Sequence, residues 1–205
     1  MRKALNYAVN RRELWQYCAK GNAYNLSGHI PPGASGHNPN MTIYTYDTTK
    51  AKALLAEAGY PNGFEVTLIT PEAQKLEAKI IKRMLERIGF KVKLEVYSWP
   101  DWIGKIYGPR MGNKLHEDQE WDLAVCYIPD NMGHTGTSHL VYPYLEASGI
   151  RWIQYDAVYE KMWKDMARTV DEEAPDEKMR QMEKYVYDRA YAIYVLSLIH
   201  ISEPT

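Results

Sequence analysis

The stretch from Phe64 to Val96 constrains the fold more than any other part of the chain. Phe64-Glu65-Val66-Thr67-Leu68 alternates apolar and polar residues, the period of a strand whose successive side chains point to opposite faces. Leu76, Ile80, Met84, Leu85 and Ile88 then share one helical face, and Gly89 precedes a second alternation in Phe90, Val92, Leu94 and Val96. This order predicts a βαβ unit. Parallel strands cannot be joined by a tight turn, so the helix must cross one face of the sheet, in the right-handed sense. A chain built on such a unit belongs to the α/β class.

The flanking segments extend this unit. Leu5, Ala8 and Val9 lie on one helical face, and Asn10 followed by Glu13 is a capping-box pattern that restarts a helix through Trp15 and Cys18, ended by Gly21. Asn22 to Tyr46 is rich in Gly, Pro, Asn and Ser, including Pro31-Pro32-Gly33, and reads as a long ordered loop. Asp47 can cap a helix running through Leu54, Leu55 and Ala58, with Gly59 and Pro61 as its stop. Ser98 and Asp101 bracket the start of a short helix carrying Trp99, Trp102, Ile103 and Ile106. Trp121 to Tyr127 reads as a third strand that feeds the irregular segment Ile128 to Ile153. Two further helices are expected, one around Val158, Tyr159, Met162, Trp163 and Met166, the other from near Pro175 through Met179, Met182 and Val186. Trp15, Trp102, Trp121 and Trp163 are expected in the core.

Composition narrows the possible partners. With 205 residues, 45% of them hydrophobic, the chain can bury the core of one or two globular units. Its 25 basic and 26 acidic residues leave a formal charge of -1, so the broad basic surface that nucleic acid requires is not expected. The longest nearly apolar run, Ala190 to Ile201, contains Ser197 and His200 and is too short to cross a hydrocarbon layer of about 30 Å as a helix. Met1 leads directly into the helical Arg2-Lys3-Ala4-Leu5, so a leader peptide is not expected within these residues. Cys18 and Cys126 are too few for a disulfide framework or a cysteine zinc site. The last ten residues, Leu196 to Thr205, read LSLIHISEPT, a string that resembles the translation of a sequencing-library adapter and is expected to lie outside the native fold.

Motifs for catalysis are missing from the places that would need them. The Phe64 strand leaves through Thr70-Pro71-Glu72 without a glycine-rich turn, and no nucleophile elbow or phosphate loop occurs. No enzyme activity, metal or cofactor is expected. His134 and His139 near Asp130 match no standard metal-ligand spacing. The candidate ligand residues lie beyond the third strand, where α/β proteins place binding loops. Asp130 follows Pro129 and can either pair with a ligand ammonium or cap a turn. Tyr127, Trp152 and Tyr142 can stack on a ligand or pack the long loop.

Several segments together resemble the bacterial extracellular solute-binding proteins of family 5, the binding components of peptide- and nickel-type ABC importers. They are Arg2-Lys3-Ala4-Leu5-Asn6-Tyr7-Ala8-Val9-Asn10-Arg11, the Pro-Pro-Gly loop, Tyr46-Asp47, and the run Lys50-Ala51-Lys52-Ala53-Leu54-Leu55-Ala56-Glu57-Ala58-Gly59-Tyr60-Pro61. Gly63-Phe64-Glu65-Val66 and Tyr97-Ser98-Trp99 continue the likeness. The resemblance implies a fold like the type II periplasmic binding proteins, of which this chain is mostly the second lobe. Residues 1–46 would be hinge-proximal helices and loop, 47–195 an incomplete ligand-binding lobe, and 196–205 the adapter-like tail. It implies a non-enzymatic, cofactor-free component outside the cytoplasm, periplasmic or extracellular, membrane-associated in the full-length parent and monomeric when whole. Its partners would be a peptide or other small solute and a membrane permease. A chemoreceptor-coupled sensor, or a binder of sugar, opine or nickel complex, is the alternative. In peptide-binding members an Asp just after the third strand holds the ligand's amino terminus, and Asp130 stands there. Gly133-His134 stand where relatives often have an Asp-Pro pair, so Asn131 and His134 would shape polar recognition, with Tyr127 and Trp152 as stacking surface. One lobe without its partner is also expected to be marginally stable.

Overall fold

A computed structural model of the chain describes residues 1–20, 23–111, 120–125, 140, 155–169 and 174–198. Helices α1 (Arg2–Ala8) and α2 (Arg11–Cys18) open the chain and are followed by a short strand, β1 (Ala23–Asn25). The Asn10 side chain accepts the Glu13 N–H at 3.2 Å, which is half of the expected capping box. The other half is diverted. Glu13 turns to Arg83 and Arg87, and the Asn10 N–H donates to Met84 Sδ at 3.3 Å.

Helix α3 (Thr48–Glu57) starts where Asp47 accepts the Lys50 N–H at 2.8 Å, and it buries Ala51 and Leu55. Asp47→Ala removes that cap and is expected to lower stability by about 1 kcal/mol, read as a lower urea midpoint with an unchanged slope.

The βαβ unit forms as the spacing predicts. Strand β2 (Glu65–Pro71), a 3-10 turn (Glu72–Gln74), α4 (Lys75–Glu86) and β3 (Lys91–Tyr97) follow in order. The strands pair parallel, from Glu65 opposite Lys91 to Pro71 opposite Tyr97. Gly63 and Gly89 enter the two strands with φ of +66° and +109°, and a Cβ on Gly63 would strike the Gly89 carbonyl. Only glycine fits such a left-handed close approach. Leu76 departs from the expected stripe and is 51% exposed. It stands in the first turn of α4, just after the carboxyl end of β2, where the helix outruns the apolar sheet surface.

Helix α5 (Trp99–Met111) leads to β4 (Leu123–Ala124), which lies parallel on the other side of β2, giving the order β3-β2-β4. This is shorter than the expected Trp121–Tyr127 strand. Bonds from Asp122 N to Thr67 O and from Val125 N to Ile69 O extend the pairing by one residue each way, and Cys126 and Tyr127 lie outside the described residues. One core joins α1 to α4 with Val66, Leu68 and Val92, while a smaller one places Trp102 and Ile106 over Ile69.

Helices α6 (Ala157–Ala167) and α7 (Ala174–Asp188) form a third core with Ile30 and Leu140. The Gly/Pro-rich loop is tied along α7. Arg180 Nε donates to His37 O at 3.3 Å, and Tyr187 donates its hydroxyl to Thr42 O at 2.7 Å. Buried Glu183 accepts the N–H groups of Ile30 and Asn38 at 2.8 and 3.0 Å; burial pushes its carboxyl pKa upward, partly offset by those bonds. The last described strand, β5 (Leu196–Leu198), pairs antiparallel with β1, Leu196 opposite Asn25. Three residues of the adapter-like segment are thus in a strand. Trp15, expected in the core, is 38% exposed, because α2 turns Arg11 and Leu14 inward and leaves Trp15 at the margin. Trp102 is buried, while Trp121 and Trp163 pack on core edges. No helix among the described residues is long and apolar enough to cross a membrane.

Candidate functional site

Strand β2 comes first in sequence among the three parallel strands, yet it lies between the other two. The chain leaves β2 through α4 on one face and reaches β4 after α5 on the other. Alternation along the strand requires this, since Leu68 points into the α4 core and its neighbour Ile69 into the α5 core. Connections that depart toward opposite faces part at the carboxyl ends of the strands, the place where open α/β sheets hold ligands. Three segments emerge there: Pro71 into the 3-10 turn and α4, Tyr97 into α5, and Val125 into residues 126–139.

At the β3 end the side chains present one open aromatic surface and a set of charges that satisfy each other. Ser98 caps α5, accepting the Asp101 N–H at 3.3 Å and donating to Asp101 Oδ2 at 2.6 Å. The cap places Trp99 at the head of the helix. Its ring stacks on Trp102 with centroids 5.3 Å apart and planes 19° from parallel. Trp99 is 50% exposed and Trp102 1%, so the outer indole presents a face on which an apolar or aromatic group can stack. Tyr97 donates its hydroxyl to Glu95 at 2.5 Å, and Lys93 pairs with the same carboxylate at 2.7 Å. Those bonds, Lys93 first and Tyr97 second, hold the Glu95 carboxyl below its ordinary range. Lys105 pairs with Glu120 at 2.5 Å.

At the β2 end the chemistry is that of acceptors. Gln74 Oε1 and Glu77 Oε2 are buried atoms with no donor among the described residues. Burial first, and the nearby Glu77 charge second, push the Cys18 thiol up to about 11, so it is protonated at neutral pH and is a poor nucleophile. Among the described residues no group of three His, Cys, Asp or Glu stands close enough to hold a metal ion. What the described residues of this edge can do is stack and accept.

The site residues expected from sequence, Tyr127, Asp130, Asn131, His134 and Trp152, lie outside the described residues, as do His139 and Tyr142. What the structure does place is the strand that leads to them, with Val125 two residues before Tyr127 and bonded to β2. Sequence reasoning missed Trp99, Gln74 and Glu77. Trp99 has a legible signal, since a tryptophan directly after a Ser N-cap at a strand end stands at the rim of the sheet. Gln74 and Glu77 have none, because an unpaired acceptor is a property of its surroundings.

The sequence matches the family of bacterial extracellular solute-binding proteins, family 5 (Middle), over residues 1–147. It is 36% identical over 109 residues to heme-binding protein A of Haemophilus influenzae, covering 50% of this chain and 20% of that protein. It is 27% identical over 189 residues to di/tripeptide-binding protein 1 of Pseudomonas aeruginosa, covering 88% of this chain and 34% of that one. The solved structure of HbpA2 from Haemophilus parasuis superposes with a TM-score of 0.81 at 24% identity, over 96% of this chain and 39% of the other. The chain therefore spans well under half the length of the proteins it matches, and the shared fold is part of the two-lobed, mixed α/β architecture of periplasmic binding proteins.

Proposed function

Because the chain belongs to the bacterial extracellular solute-binding proteins of family 5, we propose that it forms one jaw of an importer component that captures dipeptides or oligopeptides. The family consists of solute-binding proteins and not of enzymes; we extend this to the chain and assign it no catalysis. The observation that carries the reading is the strand order β3-β2-β4, with the half-exposed Trp99 at its carboxyl edge. That order supports a ligand site at the carboxyl edge of the sheet rather than on its faces. A peptide needs an acceptor for its ammonium and an apolar wall for its side chains, and the described residues of this edge include the acceptors Gln74 and Glu77 and the open face of Trp99.

In this reading Asp130, five residues past Val125, holds the ammonium by a charge-assisted bond, and Tyr127 and Trp152 add stacking surface. Asn131 and His134 set polar preference. The missing part of the parent supplies the opposing jaw, and closure is favoured only by contacts the solute makes with both. The parent works outside the cytoplasm, is periplasmic or extracellular, acts as a monomer and delivers to a membrane permease.

Calorimetric titration of Met-Leu and a tripeptide into the natural full-length protein tests this. Asp130→Ala is expected to weaken binding at least tenfold, about 1.4 kcal/mol; equal affinity in both proteins removes Asp130 from the site. Heme is the second reading, favoured by the 36% identical relative. A saturable Soret shift without peptide binding would select it.

A further inference from the structure

We propose that Glu183 and His37 form a proton-linked latch, which holds the loop from Gly28 to Asn38 against α7 more tightly as the surroundings turn acid. The latch does not depend on which solute is bound, and it gives the fold a device that responds to pH.

Glu183 stands in α7 and is 0% exposed. Its oxygens divide the loop between them, Oε1 accepting the Ile30 N–H at 2.8 Å and Oε2 the Asn38 N–H at 3.0 Å. The His29 N–H adds a third bond. Ile30 and Asn38 flank the Pro31-Pro32-Gly33 bend, so one carboxyl gathers both of its ends. Gly28 makes room for that carboxyl, since a Cβ there would strike Glu183 Oε1 and the Met41 methyl. His37 closes the arrangement. Its Nδ1 lies 2.9 Å from Ile30 O, and because a carbonyl can only accept, this nitrogen donates.

A buried carboxylate is costly unless charges and donors offset it, and the other polar groups around this one are engaged elsewhere. On α7, Arg180 donates to His37 O and pairs with Asp176 and Glu177. Lys184 pairs with Asp188, and Tyr187 donates to Thr42 O. On the loop, Ser35 donates to Asp176, and the His29 ring meets Tyr194 edge-on. From α6, Tyr159 donates to Leu140 O. The charge that acts on Glu183 is that of His37. Burial pushes the Glu183 carboxyl up, and the loop N–H bonds and the His37 charge draw it back only in part. Such a carboxyl takes its proton more readily with the loop closed than with the loop lifted, so acid favours the closed loop. The window runs upward from the ordinary carboxylate range. Histidine gains its charge as pH falls toward about 5, and a cation at His37 beside Glu183 acts in the same direction.

Hydrogen exchange followed by mass spectrometry in the natural full-length protein tests the latch, at about pH 5 and about pH 7.5, with rates corrected for intrinsic exchange. The loop peptide from Gly28 to Met41 is read against a reference peptide from β2. The expected result is about threefold or greater protection of the loop at the lower pH, with the reference unchanged. Glu183→Gln keeps an acceptor that cannot ionise, so it should flatten the dependence. His37→Gln should reduce it, and it serves alone where the Glu183 variant does not fold. A flat or reversed dependence in the unaltered protein overturns the inference, as does an undiminished dependence in either variant.

Discussion

Replacing Arg11 with methionine is expected to lower the unfolding free energy by about 3–5 kcal/mol, because hydrogen bonds to a charged group are worth about 1.5–3 kcal/mol each and water refills part of the space. Arg11 is 4% exposed. Its Nε donates to Tyr194 O at 2.6 Å, and its Nη1 to the carbonyls of Asn6, Val9 and Tyr44 at 3.1, 3.3 and 3.1 Å. Nη2 donates to Asn6 Oδ1 at 3.1 Å, and Asn6 Nδ2 in turn donates to Ala192 O at 3.0 Å. One guanidinium thus fastens the amino-terminal helices to the loop at Tyr44 and to the segment after α7. Methionine preserves much of the stem's volume but strands every one of those acceptors. Lysine keeps the charge and loses the fork, so Arg11→Lys should fall between. Urea unfolding followed by tryptophan fluorescence measures both, and a loss under about 1 kcal/mol for the methionine variant would show that these bonds are dispensable.

The pH dependence of this cluster has a definite sign. Burial lowers the guanidinium pKa from its ordinary value to about 10, against the upward pull of Tyr187 and Tyr44. A base depressed on folding binds its proton more tightly in the unfolded chain, so its contribution changes only between pH of about 10 and the unfolded value. Between pH 6 and 9, roughly, the charge is full in both states and the cluster adds no slope.

Asp156→Ala is expected to cost about 2–4 kcal/mol, an N-cap worth about 1 and hydroxyl bonds worth about 1 each. The Asp156 side chain accepts the N–H groups of Val158 and Tyr159 at 3.0 and 3.1 Å, which starts α6. It also accepts the hydroxyls of Tyr185, at 2.9 Å, and Tyr191, at 2.6 Å, which fasten α7 and the turn after it. Burial acts upward on its pKa as the largest single influence, but the bonds from Tyr191, Tyr159 N–H, Tyr185 and Val158 N–H together outweigh it and hold the carboxyl below 3.8. A carboxylate depressed on folding contributes stability that is present above its unfolded value and is lost as pH falls through its folded one. Unfolding of Asp156→Ala should therefore depend less on acid below pH 4, roughly, than that of the unaltered chain. Parallel acid titrations followed by circular dichroism check this, and equal steepness would contradict it.

Much of the architecture was legible residue by residue. The βαβ unit came from the periods of Phe64–Leu68, the Leu76–Ile88 face and Phe90–Val96, and the side-chain caps expected at Asn10, Asp47 and Ser98 form where those residues precede apolar periodicity. Leu76 and Trp15 were misplaced because periodicity says which residues share a face and not how far the covering surface extends. The candidate ligand residues beyond β4 were named from the chemistry of Asp130 and its neighbours together with family resemblance. The parting of the chain at the carboxyl edge follows from pairing β4 with β2, a contact between Ile69 and Ala124 that local pattern does not encode.

Sequence alone therefore determined this protein's class, its helices and parallel strands, and its family, because periods, caps and motif runs are properties of neighbouring residues. Only the tertiary structure decided that β2 is flanked on both sides, that β1 pairs with β5, that Arg11 is buried among carbonyls, and that Glu183 is buried against the N–H groups of Ile30 and Asn38. Each of these depends on residues distant in the chain meeting in space, where burial makes an unmatched polar group costly.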